Sequence, residues 1–252
     1  MKKIYLNSLE ELKKIQSAAE TTALILSEVS TLVKPGITTK YLDEAAAGLM
    51  KQHGVKAAFL NYRGYPAHIC TSIDEEVVHG IPSSKRFLNE GQTISIDLGV
   101  LRDGYYGDMA VTLPVGSISE EKKKLLKIAE EALKCAIDQC RVGFRLGDVS
   151  SSIQKKAESA GYSVVRDYVG HGIGRAMHEE PQIPNYGMPG TGIRLKSGMV
   201  FALEPMVNTK THEVEVLKDG WTVVTKDRKP SAHFEKMVAI TEEGPKVLAT
   251  LK

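Results

Sequence analysis

The sequence predicts an α+β domain made of two similar halves, each with two helices followed by antiparallel strands, related by a pseudo-two-fold axis. Three observations carry this prediction. The elements run helix, helix, strands, helix, helix, strands. An offset of 107 residues carries Gly36 onto Gly143, Gly54 onto Gly161 and Gly91 onto Gly198. The same offset carries Asp97 onto Glu204, an acidic residue onto an acidic residue inside two apolar stretches. A single domain over 1–252 is expected, with half-repeats at roughly 8–113 and 115–241. Helix-glycine-strand rhythms are common, and the paired carboxylates are what lift this one above that background.

Each element has a local reason. Ser8 and Glu11 form a capping box ahead of a helical pattern that stops near Pro35-Gly36. Thr38 or Thr39 caps a second helix ending at Gly54. Strands are expected around 69–73, 76–79, 93–100 and 105–113, the last two joined by the turn signal Asp103-Gly104. A Lys/Glu-rich helix starts near Ser119 and ends before Gly143, and Asp148 caps another that ends at Gly161. Strands are then expected at 163–168, 199–207, 221–225 and 233–241.

Bulk properties exclude several classes. The 252 residues are 42% apolar and 25% charged, and 33 Lys+Arg against 31 Asp+Glu leave a formal net charge of +2. That balance does not point to DNA or a membrane surface. The N-terminus, "MKKIYLNSLEELKK", lacks the sustained apolar run of a signal peptide or a membrane span. The three cysteines, Cys70, Cys135 and Cys140, make no disulfide framework or zinc spacing, so a reducing, cytoplasmic setting is expected. A monomer is expected.

The chemistry is concentrated in carboxylates set where a core should be. In "TISIDLGV", Ile94, Ile96 and Leu98 share one strand face, and Ser95 and Asp97 share the other. A hairpin centred on Asp103-Gly104 sets Asp97 opposite Ala110 and Asp108 opposite Gly99. Asp97 and Asp108 then become diagonal neighbours about 7–8 Å apart. Two carboxylates stripped of water in this way either protonate or share a cation. "MVFALEPMV" sets Glu204 in an apolar strand, and "AHFEKMVAI" does the same for Glu235, which the repeat offers as the counterpart of Asp108. Four converging carboxylates call for cations, and two divalent ions would balance them. Oxygen-rich ligation suits Mn, Fe(II), Co or Zn. His171, between glycines that allow close backbone approach, adds an imidazole and completes a five-residue cradle. His178 follows in the same segment, which lacks the His-Glu-x-x-His spacing of a zinc-protease helix, and His79 closes the strand of "EEVVHGIP".

These residues, with "HGIP", "GHGIGRAMHEEP", "ALEP" and "HFE" in this order, resemble the type I methionine aminopeptidases over essentially the whole chain. The resemblance implies the duplicated "pita-bread" fold and removal of the initiator methionine from new polypeptides. It implies metal-ligand roles for Asp97, Asp108, His171, Glu204 and Glu235, with Asp108 and Glu235 shared between two ions. It implies that His178 contacts the scissile carbonyl, that His79 contacts the peptide nitrogen beyond it, and that Glu204 moves the proton. It also implies a methionine pocket from Phe59, Tyr62, Tyr65, Cys70, Met177 and Trp221. Phe59 and Met177 depart from the cysteine and phenylalanine of some members, and Arg63 lies at the rim.

Two rivals share features of this pattern. A prolidase or aminopeptidase P carries the same five ligands on the same fold but usually has a further N-terminal domain, whereas here the half-repeat starts almost at residue 1. A non-catalytic relative that binds RNA or protein would be expected to have lost its ligands, and all five are present. Type II methionine aminopeptidases carry a helical insertion between the counterparts of His171 and Glu204, for which the spacing here leaves no room. Lys210, Lys218, Lys226, Arg228 and Lys229 cluster near one long loop and could meet ribosomal RNA; a solvated lysine-rich surface is the plainer reading.

Overall fold

The computed structural model describes residues 3–251. Among them are four α-helices, α1 (Leu9–Thr31), α2 (Thr39–Gln52), α3 (Glu120–Gln139) and α4 (Leu146–Ser159), in the expected positions. α1 opens on the expected capping box: Ser8 Oγ accepts from the Glu11 amide at 3.3 Å, and the Ser8 amide donates to Glu11 Oε2 at 2.8 Å. Thr38 caps α2. α4 corrects the expectation for Asp148. The cap position is Arg145, and Asp148 lies three residues in, its Oδ2 accepting from the Arg145 amide at 2.8 Å. Asp148 thus supplies the inner half of a capping box.

The strands form antiparallel sheets. A four-stranded sheet holds Lys56–Ala57, Cys70–Ile73, Thr93–Arg102 and Tyr105–Pro114. A five-stranded sheet holds Gly170–Gly172, Glu179–Ile183, Val200–Leu203, Lys236–Thr241 and Gly244–Val247. Two three-stranded sheets complete the set: Ser163–Val164, Met206–Asn208 and Ser231–His233 in one, Glu76–Val78, Val214–Val216 and Val223–Thr225 in the other. The expected strand at 163–168 shrinks to its first two residues. Several short strands, Gly170–Gly172 and Glu179–Ile183 among them, carry no periodic signal of their own and exist because neighbouring strands pair with them.

One core runs through both halves. Ile15, Ile25 and Leu26 of α1, Ile94, Ile96 and Leu98 of the first hairpin, and Phe201, Val238 and Ile240 of the second half belong to a single buried cluster. Each such side chain contributes about 1.5–3 kcal/mol of burial. α1 lies directly on the first hairpin because Gly107 has no side chain there. A Cβ on Gly107 would stand 2.4 Å from Thr22 Oγ1 and 2.5 Å from the Ala18 carbonyl oxygen. That contact presses the apolar face of the hairpin onto α1 and turns the Ser95–Asp97 face toward the second half.

Candidate metal centre and active site

The first hairpin keeps the register read from its turn: Asp97 is paired with Ala110 and Asp108 with Gly99. On its other side Asp97 pairs with Cys70, so it stands on the central strand of the sheet. Ser95 and Thr112 continue the same polar face inward. Thr112 Oγ1 donates to the His233 carbonyl at 2.8 Å and accepts from the His233 amide at 2.9 Å. Its proton being committed, Thr112 accepts from Ser95 Oγ at 2.8 Å. This hydroxyl pair fastens the two hairpins together beneath the site.

The second hairpin corrects two expectations. Glu204 and Glu235 do not lie within strands. Each falls in a gap, Glu204 between Val200–Leu203 and Met206–Asn208, Glu235 between Ser231–His233 and Lys236–Thr241. The register is unchanged across the gap, with Leu203 opposite Lys236 and Met206 opposite His233, which sets Glu204 opposite Glu235. Pro205 has no amide to donate, which opens the ladder there. The Glu235 amide instead donates to the Ala110 carbonyl of the first hairpin at 2.9 Å. By register Glu235 takes the place of Ala110, and His233, which sequence reasoning did not single out, takes the place of Asp108. The "HFE" motif already held that histidine; only the pairing reveals where it stands.

His171 comes from the short strand Gly170–Gly172, drawn in by pairing with Ala202. Gly172 is required beside it, since a Cβ there would lie 2.3 Å from the Glu180 carbonyl oxygen. His171 Nδ1 stands 2.9 Å from the Gly172 carbonyl. A carbonyl only accepts, so Nδ1 carries the proton and Nε2 presents its lone pair. Nε2 lies 3.5 Å from Glu204 Oε1 and 3.8 Å from Asp108 Oδ2. Ligand atoms of Asp108, His171 and Glu235 all lie within 4.8 Å of one another. Asp97 and Glu204 line the same cavity just outside that tight group.

The electrostatics are those of a cation site. Asp97 Oδ1, Asp108 Oδ1 and Glu235 Oε1 are buried without a hydrogen-bond partner, a costly arrangement unless something positive meets them. Loss of hydration pushes the Asp97 carboxyl up to about 7. Burial first, and then the neighbouring carboxylates, hold Asp108, Glu204 and Glu235 well above the usual carboxylate range. Burial pushes His171 down to about 3, with His178 adding to the effect, which keeps its imidazole neutral as a ligand must be. His79 is lowered to about 4 by burial and His178, and His233 to about 3 by burial and His79. The donor set of carboxylates and one neutral imidazole fits a divalent cation.

Every site residue named from the sequence lines one cavity of about 150 Å³, and Arg63 joins them. Cavities of about that size elsewhere admit a benzene-sized group, so the space suits one side chain rather than a polypeptide. Tyr65 shares its hydroxyl proton between the Ile69 and Gly80 carbonyls, at 3.1 and 3.0 Å, and meets Trp221 edge-on at 5.1 Å between ring centroids. Its polar end is spent on the backbone and its ring on the pocket. Burial, with Asp97 adding to it, holds the Cys70 thiol well above its usual range, so it is a neutral, soft lining group. His79 has a left-handed backbone (φ 62) and packs edge-on against Tyr168 and Trp221. Non-glycine residues held there are characteristic of functional loops.

Residues 13–242 match the metallopeptidase family M24. The chain belongs to the M24 metallopeptidases. Within the family it is 49% identical to methionine aminopeptidase 1 of Bacillus subtilis, covering 94% of this chain and 96% of the relative. The crystal structure of methionine aminopeptidase from Thermotoga maritima, 44% identical, superposes with a TM-score of 0.97 over 98% of this chain and all of the other. The prolidase from Pyrococcus horikoshii shares the fold at a TM-score of 0.79 and 24% identity, and the chain covers 64% of it. The duplicated pita-bread fold expected from the sequence is therefore the fold of this M24 member. No helix among the described residues is long and apolar enough to cross a membrane, and Cys70, Cys135 and Cys140 are all free thiols.

Proposed function

We infer that this M24 metallopeptidase is a metal-dependent methionyl aminopeptidase that removes the initiator methionine from new polypeptides. The observation that carries this is the shared cavity, in which buried carboxylates and His171 face an aromatic and thiol-lined space the size of one side chain. Aromatic edges and a thiol suit a thioether, at about 0.3–1.5 kcal/mol per sulfur–ring contact. The concentrated negative charge would receive the free α-amine of the substrate, which selects an exopeptidase.

Asp97, Asp108, His171, Glu204 and Glu235 would hold two divalent ions of the Co, Mn, Fe(II) or Zn class. When bound, such ions lower the pKa of water and polarise a carbonyl. Glu204 takes the proton of the attacking water and delivers it to the leaving amine. His178 donates to the scissile carbonyl oxygen as negative charge develops there. His79 meets the peptide nitrogen beyond the bond. Phe59, Tyr62, Tyr65, Cys70, Met177 and Trp221 surround the methionine side chain and exclude water.

The deciding experiment strips the metal, restores each ion in turn, and compares hydrolysis of Met-Ala-Ser with Ala-Pro-type peptides. Metal-dependent release of methionine is expected. Turnover of the proline peptides alone would transfer the chain to the Xaa-Pro peptidases of the same fold. Absence of stoichiometric metal and of any turnover would make it a binding module for RNA or protein. Contact with the ribosome has weaker support than the sequence suggested, since Lys226 is paired with Glu213 and Arg228 with Glu215. Ribosome co-sedimentation unchanged by glutamate at Lys210, Lys218 and Lys229 would remove that partner.

A further inference from the structure

His178 opens to solvent and has two ring nitrogens, and its use as a donor to the substrate depends on which one carries the proton. The structure gives its Nδ1 a single partner among the described residues: the Tyr62 hydroxyl, at 2.8 Å. The two rings also stack, 5.3 Å between centroids and 24° between planes. Tyr62 is delivered by a strained turn, with Asn61, Arg63 and Gly64 all left-handed at φ 65, 52 and 91. The Tyr65 amide closes that turn on the Tyr62 carbonyl at 3.0 Å. The Arg63 guanidinium lies over the Tyr62 ring, 5.4 Å from its centroid.

These features have a common chemical sense. A phenol is a strong O–H donor whose oxygen lone pair is drawn into the ring, and an unprotonated imidazole nitrogen is a good acceptor. A cation over the phenol ring strengthens that donor further. The bond therefore runs from Tyr62 Oη–H to His178 Nδ1, which leaves the proton on Nε2. Arg63 and Asn61, non-glycine residues held left-handed on either side of Tyr62, fix the turn that presents the phenol to His178.

We propose that Tyr62, covered by Arg63, is a positioning residue that fixes His178 in the tautomer with its proton on Nε2, the nitrogen left to face the scissile carbonyl. The proposal rests on the oxyanion role assigned to His178 above. It gives Tyr62 a second task, toward His178, beyond the methionine wall it shares with the other aromatic residues of the cavity.

The test is Tyr62→Phe in enzyme loaded with zinc, a diamagnetic ion, and labelled with ¹⁵N-histidine. The Phe ring preserves the stack and removes only the hydroxyl. Wild-type His178 should show the nitrogen shifts of the Nε2–H form, and the variant should show an averaged pair. With Met-Ala-Ser, kcat should fall about tenfold and KM should stay within about twofold, short of the ~10²–10³ of losing an oxyanion donor outright. Arg63→Met should move the same resonances by less. In a His178→Ala background, Tyr62→Phe should change kcat by less than about twofold, because its effect acts through that ring. An Nδ1–H signature in the wild type would overturn the proposal. So would a Tyr62→Phe variant that raises KM alone with the His178 resonances unmoved, or a further tenfold loss without His178. Wild-type turnover in His178→Ala alone would instead defeat the oxyanion role itself, while the resonances still decide the tautomer.

Discussion

The two hairpins that carry the proposed metal ligands obey one pairing rule and solve the carboxylate problem differently. The first, Thr93–Arg102 with Tyr105–Pro114, is unbroken, and its acids lie diagonally, Asp97 opposite Ala110 and Asp108 opposite Gly99. The second is interrupted on both strands at the same level, and its acids face each other in the gaps. An unbroken ladder cannot hold two directly opposed carboxylates without strong repulsion, so the first hairpin staggers them. The second lets its backbone leave the ladder at Pro205, and Glu235 hydrogen-bonds instead to Ala110 of the first hairpin. The two hairpins are similar frames. The site arose where one of them opened and was tied to the other.

The comparison can be broken first at Glu204. Glu204→Gln keeps the shape of the gap and removes the acid. We expect a folded protein whose kcat on Met-Ala-Ser falls by about 10³-fold, within the usual range for a general base. Wild-type-like turnover with an unchanged unfolding temperature would defeat the proton role.

Metal removal tests both hairpins together. Metal-free protein should have a lower unfolding temperature than the loaded form, and the gap should widen as pH rises. The sign follows from Asp97. Its folded carboxyl is raised to about 7, above its ordinary value, so between about pH 4 and 7 the folded state holds a proton that the unfolded chain has released. Stability from this group is full below that window and is lost as pH rises through it. Below about pH 6.5 the lowered His79, His171, His178 and His233 act in the opposite sense, because the unfolded imidazoles take up protons there. Scanning calorimetry of metal-free protein from about pH 7 to 8 should therefore show a falling unfolding temperature, and a rise would contradict the electrostatic account.

The close seat of α1 on the first hairpin is sharpened by Gly107→Ala, which should destabilise by about 2–3 kcal/mol because the new methyl meets backbone that cannot move aside. An unchanged denaturation midpoint would show that α1 is not so tightly held. The smallest effect is expected at the fastening between hairpins. Thr112→Val should cost about 1 kcal/mol and leave KM unaltered, since it breaks bonds to Ser95 and His233 without touching the cavity. A large loss of bound metal in that variant would mean the fastening also sets the site.

Much of this was readable locally. The capping box of α1, the cap of α2 and the hairpin about Asp103-Gly104 each depend on residues within a few positions of one another. The register of that hairpin followed from its turn, and with it the neighbourhood of Asp97 and Asp108. The start of α4 was misread at Asp148 because an aspartate suits both the cap and the third position. The strand around His171 was unreadable because three residues have no period. It is a strand only because Ala202 and Gln182 pair with it.

The order of the elements, the identity of the acids and one hairpin register were determined by the sequence alone, because turn chemistry and two-residue alternation act over short spans. Only the tertiary structure decided that Glu204 and Glu235 lie in gaps, that His233 occupies the place of Asp108, and that Tyr62 reaches His178 from 116 positions away along the chain. Those outcomes depend on how two halves with a common core press against each other, and no local pattern encodes the balance between a broken ladder and a bond to the opposite half.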